Sequence, residues 1–214
     1  MKIVKLIGLL ALLFVLCTVG TTGAGAQTGP APKSKVPDTV PINIQLSLQG
    51  RSCCGPQLAV YFHVEVVETN NGNNVWVDQT DYADSTGLSP FYYVPPNTSL
   101  SFWIKAPQWL SWRVDNVQCG SGGGCHITTP LLLAGDADID YNVGGYGFGN
   151  DIVNILDENK IRNSYGATCG SPTYYSGADF NADCIVNLSD WNYLKSHYGL
   201  GGAPSLVCPK FPWC

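Results

Sequence analysis

Charge is scarce in this chain: Asp, Glu, Lys and Arg make up 13% of its 214 residues, about half the roughly 25% of an average soluble domain. Basic residues are the scarcer kind, 11 against 16 acids. That balance cannot neutralise a phosphate backbone or an anionic lipid surface, which argues against both as partners. The three histidines, His63, His126 and His197, are scattered, and no two cysteines have Cys-x-x-Cys spacing, so a structural zinc site has no ligand set. A nucleophile elbow, a His-Glu-x-x-His helix and a phosphate-binding loop are all missing, and the sequence is read as non-catalytic. Long apolar runs are absent apart from residues 6–19, too short for a comfortable membrane span. Preceded by Lys2 and Lys5 and followed by Ala24-Gly25-Ala26, that run reads as an export signal over 1–26. Cys17 would suit a lipid anchor, but Leu16 is bulky where such sites want a small residue.

What the chain does have is cysteine, glycine and β-branched or aromatic residues. Loss of the signal removes Cys17 and leaves Cys53, Cys54, Cys119, Cys125, Cys169, Cys184, Cys208 and Cys214. An even set in an exported chain indicates disulfides. Spacing pairs Cys119 with Cys125 and Cys208 with Cys214, Cys169 with Cys184 is a further candidate, and Cys53 and Cys54 have no obvious partners. Residues 27–40 are Pro-rich and polar: a leader, or a strand lent to a neighbouring subunit. From Ile42 apolar and polar residues alternate, and about seven short strands follow with turns between them, predicting an antiparallel β-sandwich over 41–134. Trp76, Trp103, Trp109 and Trp112 offer rings for stacking on sugar. The alternation in "SLSFWIK" turns Leu100, Phe102 and Ile104 one way and Trp103 the other, which makes Trp103 the best exposed candidate.

Beyond residue 134 acids concentrate and a repeat appears. "DIVNILDENKIRNSYG" at 151–166 and "CIVNLSDWNYLKSHYG" at 184–199 share Ile-Val-Asn, an Asp three residues later and a closing Tyr-Gly. Alternating acids or amides precede each copy: Asp136, Asp138 and Asp140, then Asp179, Asn181 and Asp183. A duplicated acid ladder and helix is a strong cue. Calcium takes six to eight hard oxygen ligands, and alternate side chains of a tight turn converge on one point. The expected second shell is Asp179, Asn181, Asp183, Asp190 and the carbonyl of Ile185, with Asn187 acting directly or through water. The expected first shell is Asp136, Asp138, Asp140 and Asp157. A ten-residue insertion at 141–150 separates the third acid from the repeat, leaving Asn142 or Asp151 as candidates to complete it. The same residues have a local reading as Asx turns and helix N-caps.

Two calcium loops, each followed directly by a helix, resemble the dockerin family, whose usual loop Asp-x-Asn-x-Asp-Gly-x-Val-Asn-x-x-Asp matches 179–190 at every ligand position. The resemblance covers 135–199, with 200–214 as a Cys-rich tail. It implies a small helical calcium domain, two bound ions and a cohesin-like partner domain. It also implies partner contacts from the pair before each closing Asp, here Ile155 with Leu156 and Leu188 with Ser189. Cys184 stands where the family has a turn glycine. The functional expectation is a secreted, non-catalytic calcium-binding module for extracellular attachment. A structural subunit of a self-assembling filament and a carbohydrate-binding sandwich are the alternatives.

Overall fold

The computed structural model describes residues 38–51, 60–143 and 146–207, with backbone alone at 140–143 and 146. The export signal, most of the leader, Cys53, Cys54, Cys208 and Cys214 lie outside the described residues.

Alternation builds the sandwich. In β1 (Val40–Leu48) Val40, Ile42, Ile44, Leu46 and Leu48 point inward, and β2 (Tyr61–Glu68) sends Phe62, Val64 and Val66 to meet them. The other strands are β3 (Asn71–Tyr82), β4 (Tyr92–Val94), β5 (Ser99–Lys105), β6 (Trp112–Gln118) and β7 (Cys125–Leu132). They form two sheets, ordered β4-β1-β7 and β3-β2-β5-β6. The expectation of a purely antiparallel sandwich fails at one pairing, because β1 and β7 run parallel. The Cys119–Cys125 disulfide closes the β6–β7 turn.

β5 is buried on both faces. Leu100, Phe102 and Ile104 enter the core, as the alternation predicts, but Trp103 on the opposite face is fully covered as well. The chain after the last helix crosses over it, and the Trp103 indole donates to Ala203 O at 2.6 Å. Trp103 is therefore not an exposed sugar platform. Trp109 is buried too, leaving Trp76 the most exposed of the four rings.

The insertion at 141–150 makes nearly all of a hairpin, β8 (Asp140–Val143) with β9 (Tyr146–Phe148). Phe148 packs edge-on against Tyr61, with ring centres 5.4 Å apart. Two helices follow, α1 (Ile155–Ser164) and α2 (Leu188–His197). Each starts two residues before the repeat's closing Asp, because Asn154 and Asn187 are the N-caps and Asp157 and Asp190 complete capping boxes. A Tyr C-cap and a left-handed glycine, Gly166 or Gly199, end each helix. Val153, Ile161, Phe180, Val186 and Leu194 join one apolar core with the strands. The loop between β5 and β6 is the seat: Gln108 O accepts from Gly135 and Asp136, and Pro107 O accepts from Gly149.

The last described segment straps the outer face of the four-stranded sheet. Val153 N donates to Leu200 O and Gly202 N to Asp151 O. Farther on, Ser205 Oγ, Leu206 N and Val207 N all donate to the Glu65 carboxylate.

Candidate metal centre

The second loop is wrapped by its own oxygens. Asp179 Oδ1 accepts from Asp183 N at 3.2 Å, and Oδ2 accepts from Cys184 N at 3.0 Å and the Tyr174 hydroxyl at 2.7 Å. Asn181 Oδ1 accepts from Asp183 N, and Asp183 Oδ1 accepts from Ile185 N. Asp190 closes the loop, accepting from Phe180 N at 2.8 Å and Asn187 N at 2.9 Å. Asn187 serves as N-cap, with Oδ1 on Ser189 N and Nδ2 on Ile185 O. The turn needs a left-handed residue at Cys184, φ 68°, a conformation a β-carbon disfavours. The disulfide to Cys169 and the paired backbone of Cys169 and Cys184 hold it there.

The first loop repeats this pattern despite its insertion. Asp157 accepts from Ala137 N at 2.6 Å and Asn154 N at 2.7 Å, as Asp190 does from Phe180 and Asn187. Asp136 Oδ2 accepts from Asp151 N at 3.0 Å, as Asp179 does from Cys184. Asp138 Oδ1 accepts from Asn150 N, Asn150 Oδ1 accepts from Ile152 N, and Asn154 Nδ2 donates to Ile152 O. Asp151 is left-handed at φ 65°, like Cys184. Asn150 thus stands where the second loop has Asp183, and Ile152 O stands where it has Ile185 O.

Asp140 opens the hairpin, whose antiparallel strands return the chain through Phe148, opposite Asp140, so that the turn resumes at Asn150. The Asp151 carboxylate turns to Ser111 N and Oγ. The signal was present in the sequence, as Asn150 directly precedes the repeated segment just as Asp183 adjoins Cys184.

Carboxylate oxygens of Asp136, Asp138 and Asp157 lie within 4.8 Å of one another. Asp136 and Asp157 are fully buried, and Asp136 Oδ1 has no hydrogen-bond donor. A β-carbon at Gly149 would sit 2.1 Å from that oxygen, so the cradle requires glycine. Burial pushes Asp136 up to about 8 against the opposing pull of Lys105. Burial also raises Asp157 to about 6, with Asp138 adding like-charge repulsion. Buried carboxylates gathered in this way call for positive charge, of which the Lys105 ammonium, 2.7 Å from Asp136 Oδ2, supplies part. With Asn150 and Ile152 O the donors are all hard oxygens, a set that fits calcium and not a thiophilic metal.

The other metal-ligating cluster among the described residues, His63, Glu65 and Asp78, has an internal explanation. His63 Nε2 is 3.0 Å from Asp78, Nδ1 is 3.0 Å from Thr80 Oγ1, and Glu65 is engaged by the strap.

Ile155, Leu156, Leu188 and Ser189 stand exposed on the first turns of their helices, Leu188 the most open of the three apolar ones at 59%. Beside them Trp191 lies beneath Arg162 and Lys195, and a groove runs along Arg162, Tyr165, Leu188 and Trp191.

No protein-family model matches this sequence, and no curated protein does. Solved structures do. A C-terminal interface mutant of a type II cohesin–X-dockerin complex from Acetivibrio cellulolyticus provides a chain 18% identical, with a TM-score of 0.56 over 76% of this chain and 97% of that one. The corresponding N-terminal interface mutant matches at 19% identity and 0.55 over the same shares. These likenesses establish the fold: mostly β, two packed sheets and two helices. They also overturn the dockerin resemblance drawn from the loops. The match extends over three quarters of this chain, far beyond the third that carries the repeat, and a chain dominated by two sheets is not the small helical domain that the dockerin resemblance implied. The physical reason is visible in the core, where the loop–helix units share one apolar interior with the strands and a β-hairpin splits the first loop.

Proposed function

We propose that this chain is a secreted, non-catalytic attachment module stabilised by two calcium ions. One observation carries the calcium reading. Two loops of different length reach the same oxygen arrangement, and the buried one leaves Asp136 Oδ1 without a donor. Asx turns and N-caps account for the hydrogen bonds, but they do not account for three gathered carboxylates with an orphaned buried oxygen. Asp136, Asp138, Asn150, Ile152 O and Asp157 would hold one ion. Asp179, Asn181, Asp183, Ile185 O and Asp190 would hold the other. An ion bound by the folded chain and not by the unfolded one stabilises the fold by mass action.

The attachment surface is the exposed start of both helices, Ile155 with Leu156 and Leu188 with the neighbouring Trp191, and its partner is a protein module with a complementary apolar face. The fold likeness to chains of cohesin–X-dockerin complexes supports an attachment role, and the two disulfides support an oxidising, extracellular setting. The test is calcium titration by calorimetry, with metal content by mass spectrometry and melting in excess chelator. Two ions per chain and a lower melting temperature in chelator are expected. A chain that takes up no calcium and melts identically in chelator refutes the reading.

A further inference from the structure

The two loops differ in what meets the outer oxygen of their first carboxylate. In the second loop that oxygen, Asp179 Oδ2, accepts from a neutral phenol, Tyr174, at 2.7 Å. In the first loop it is Asp136 Oδ2, and the donor is the Lys105 ammonium at 2.7 Å, with both side chains fully buried. Lys105 also donates to the carbonyls of Ala106, Pro107 and Trp109 at 2.9, 3.2 and 2.6 Å. Its nitrogen therefore sits among four oxygens, with Asp151 Oδ1 at 3.9 Å. A buried ammonium in such a cage is itself a bound cation, delivered by a strand of the sandwich. Each proposed ligand set otherwise contains three carboxylates and one amide, so Lys105 marks the main difference between them. Arg51 contributes positive charge toward Asp179, but its guanidinium bonds to Gln108 and lies over the Trp109 ring.

We propose that Lys105 is a tethered counter-cation that holds the first loop closed without calcium, so that the second loop fills first and the first binds its ion weakly. This rests on the calcium reading above. Buried carboxylates need positive charge nearby. In the first loop the ammonium supplies part of it and repels an incoming divalent ion that must share Asp136. Unpartnered Asp136 Oδ1 keeps that site open to calcium. The second loop is held by a disulfide and a phenol, neither of which brings charge.

The experiment is calcium titration of the whole chain as wild type, Lys105→Met, Asp157→Asn and Asp190→Asn. Two sites differing about tenfold or more in affinity are expected in the wild type. Asp190→Asn removes the tighter one and Asp157→Asn the weaker. Lys105→Met tightens the site that Asp157→Asn abolishes by about tenfold or more, and its melting temperature depends more steeply on calcium than the wild type's. A Lys105→Met chain that folds only with calcium present also supports the proposal. It is overturned if Asp157→Asn removes the tighter site, or if folded Lys105→Met binds calcium at the first loop no more tightly. Should Lys105→Met fail to fold in any condition, the Asp157→Asn and Asp190→Asn titrations decide alone. Absence of calcium binding in every variant refutes the calcium reading itself, an outcome distinct from a wrong order of filling.

Discussion

Replacing Glu65 with Ala should release the end of the C-terminal strap from the sheet. Glu65 is almost fully buried and accepts from Ser205 Oγ at 2.6 Å, Leu206 N at 2.6 Å and Val207 N at 3.0 Å. Hydrogen bonds to a charged group contribute about 1.5–3 kcal/mol each. A released strap regains water for its backbone and regains chain entropy, so we expect a net loss of about 2–4 kcal/mol for the three together. In a domain of this size that corresponds to a melting temperature lower by roughly 5–15 °C. The strap also covers Trp103, whose indole donates to Ala203 O. Hydrogen exchange at Leu206 and Val207 should accelerate, while tryptophan emission stays unchanged, because Ser111 holds Ala203 over the ring. Unchanged exchange at those two amides would refute the claim that Glu65 holds the end of the strap.

Gly149→Ala places a β-carbon against Asp136 Oδ1 and should abolish first-loop calcium binding while sparing the second, read by titration. Removing the Cys169–Cys184 bridge by paired Ser substitution frees a separation of 15 residues; about 3 kcal/mol of stability should be lost, visible in urea denaturation, and second-loop calcium affinity should fall with it. Leu156→Glu with Leu188→Glu alters exposed positions, so unfolding should change by about 0.5 kcal/mol or less, whereas binding to a partner captured by the wild type should be lost in a pull-down with purified components.

Much of the architecture was legible because it follows from local pattern. Ile42, Ile44, Leu46 and Leu48 alternate, and a strand with one buried face must follow. The spacing of Cys119 and Cys125 and of Cys169 and Cys184 matches the bridges formed. Trp103 was misread because alternation reports which face of a strand a residue takes, not what later covers that face. Residue 203 is a hundred positions away, and no local signal announces its arrival. The place of Asn150 was missed for a related reason: counting alternate positions assumes a continuous turn, and a hairpin can leave the turn and return to it. The family resemblance erred in scale, since loop motifs describe a third of the chain and the fold belongs to the whole.

By itself, the sequence determined that this protein is disulfide-bonded and strand-rich, and that it carries a duplicated ladder of oxygens, because these properties reside in composition and short-range periodicity. Only the tertiary structure decided that Asn150 takes the place matching Asp183 and that Lys105 reaches into the first loop. It alone also decided that the strap seals the outer face of the sheet. Those outcomes depend on which distant surfaces bury one another. A buried charge or indole must find its partner wherever the fold brings one, and distance along the chain does not reveal which residue that is.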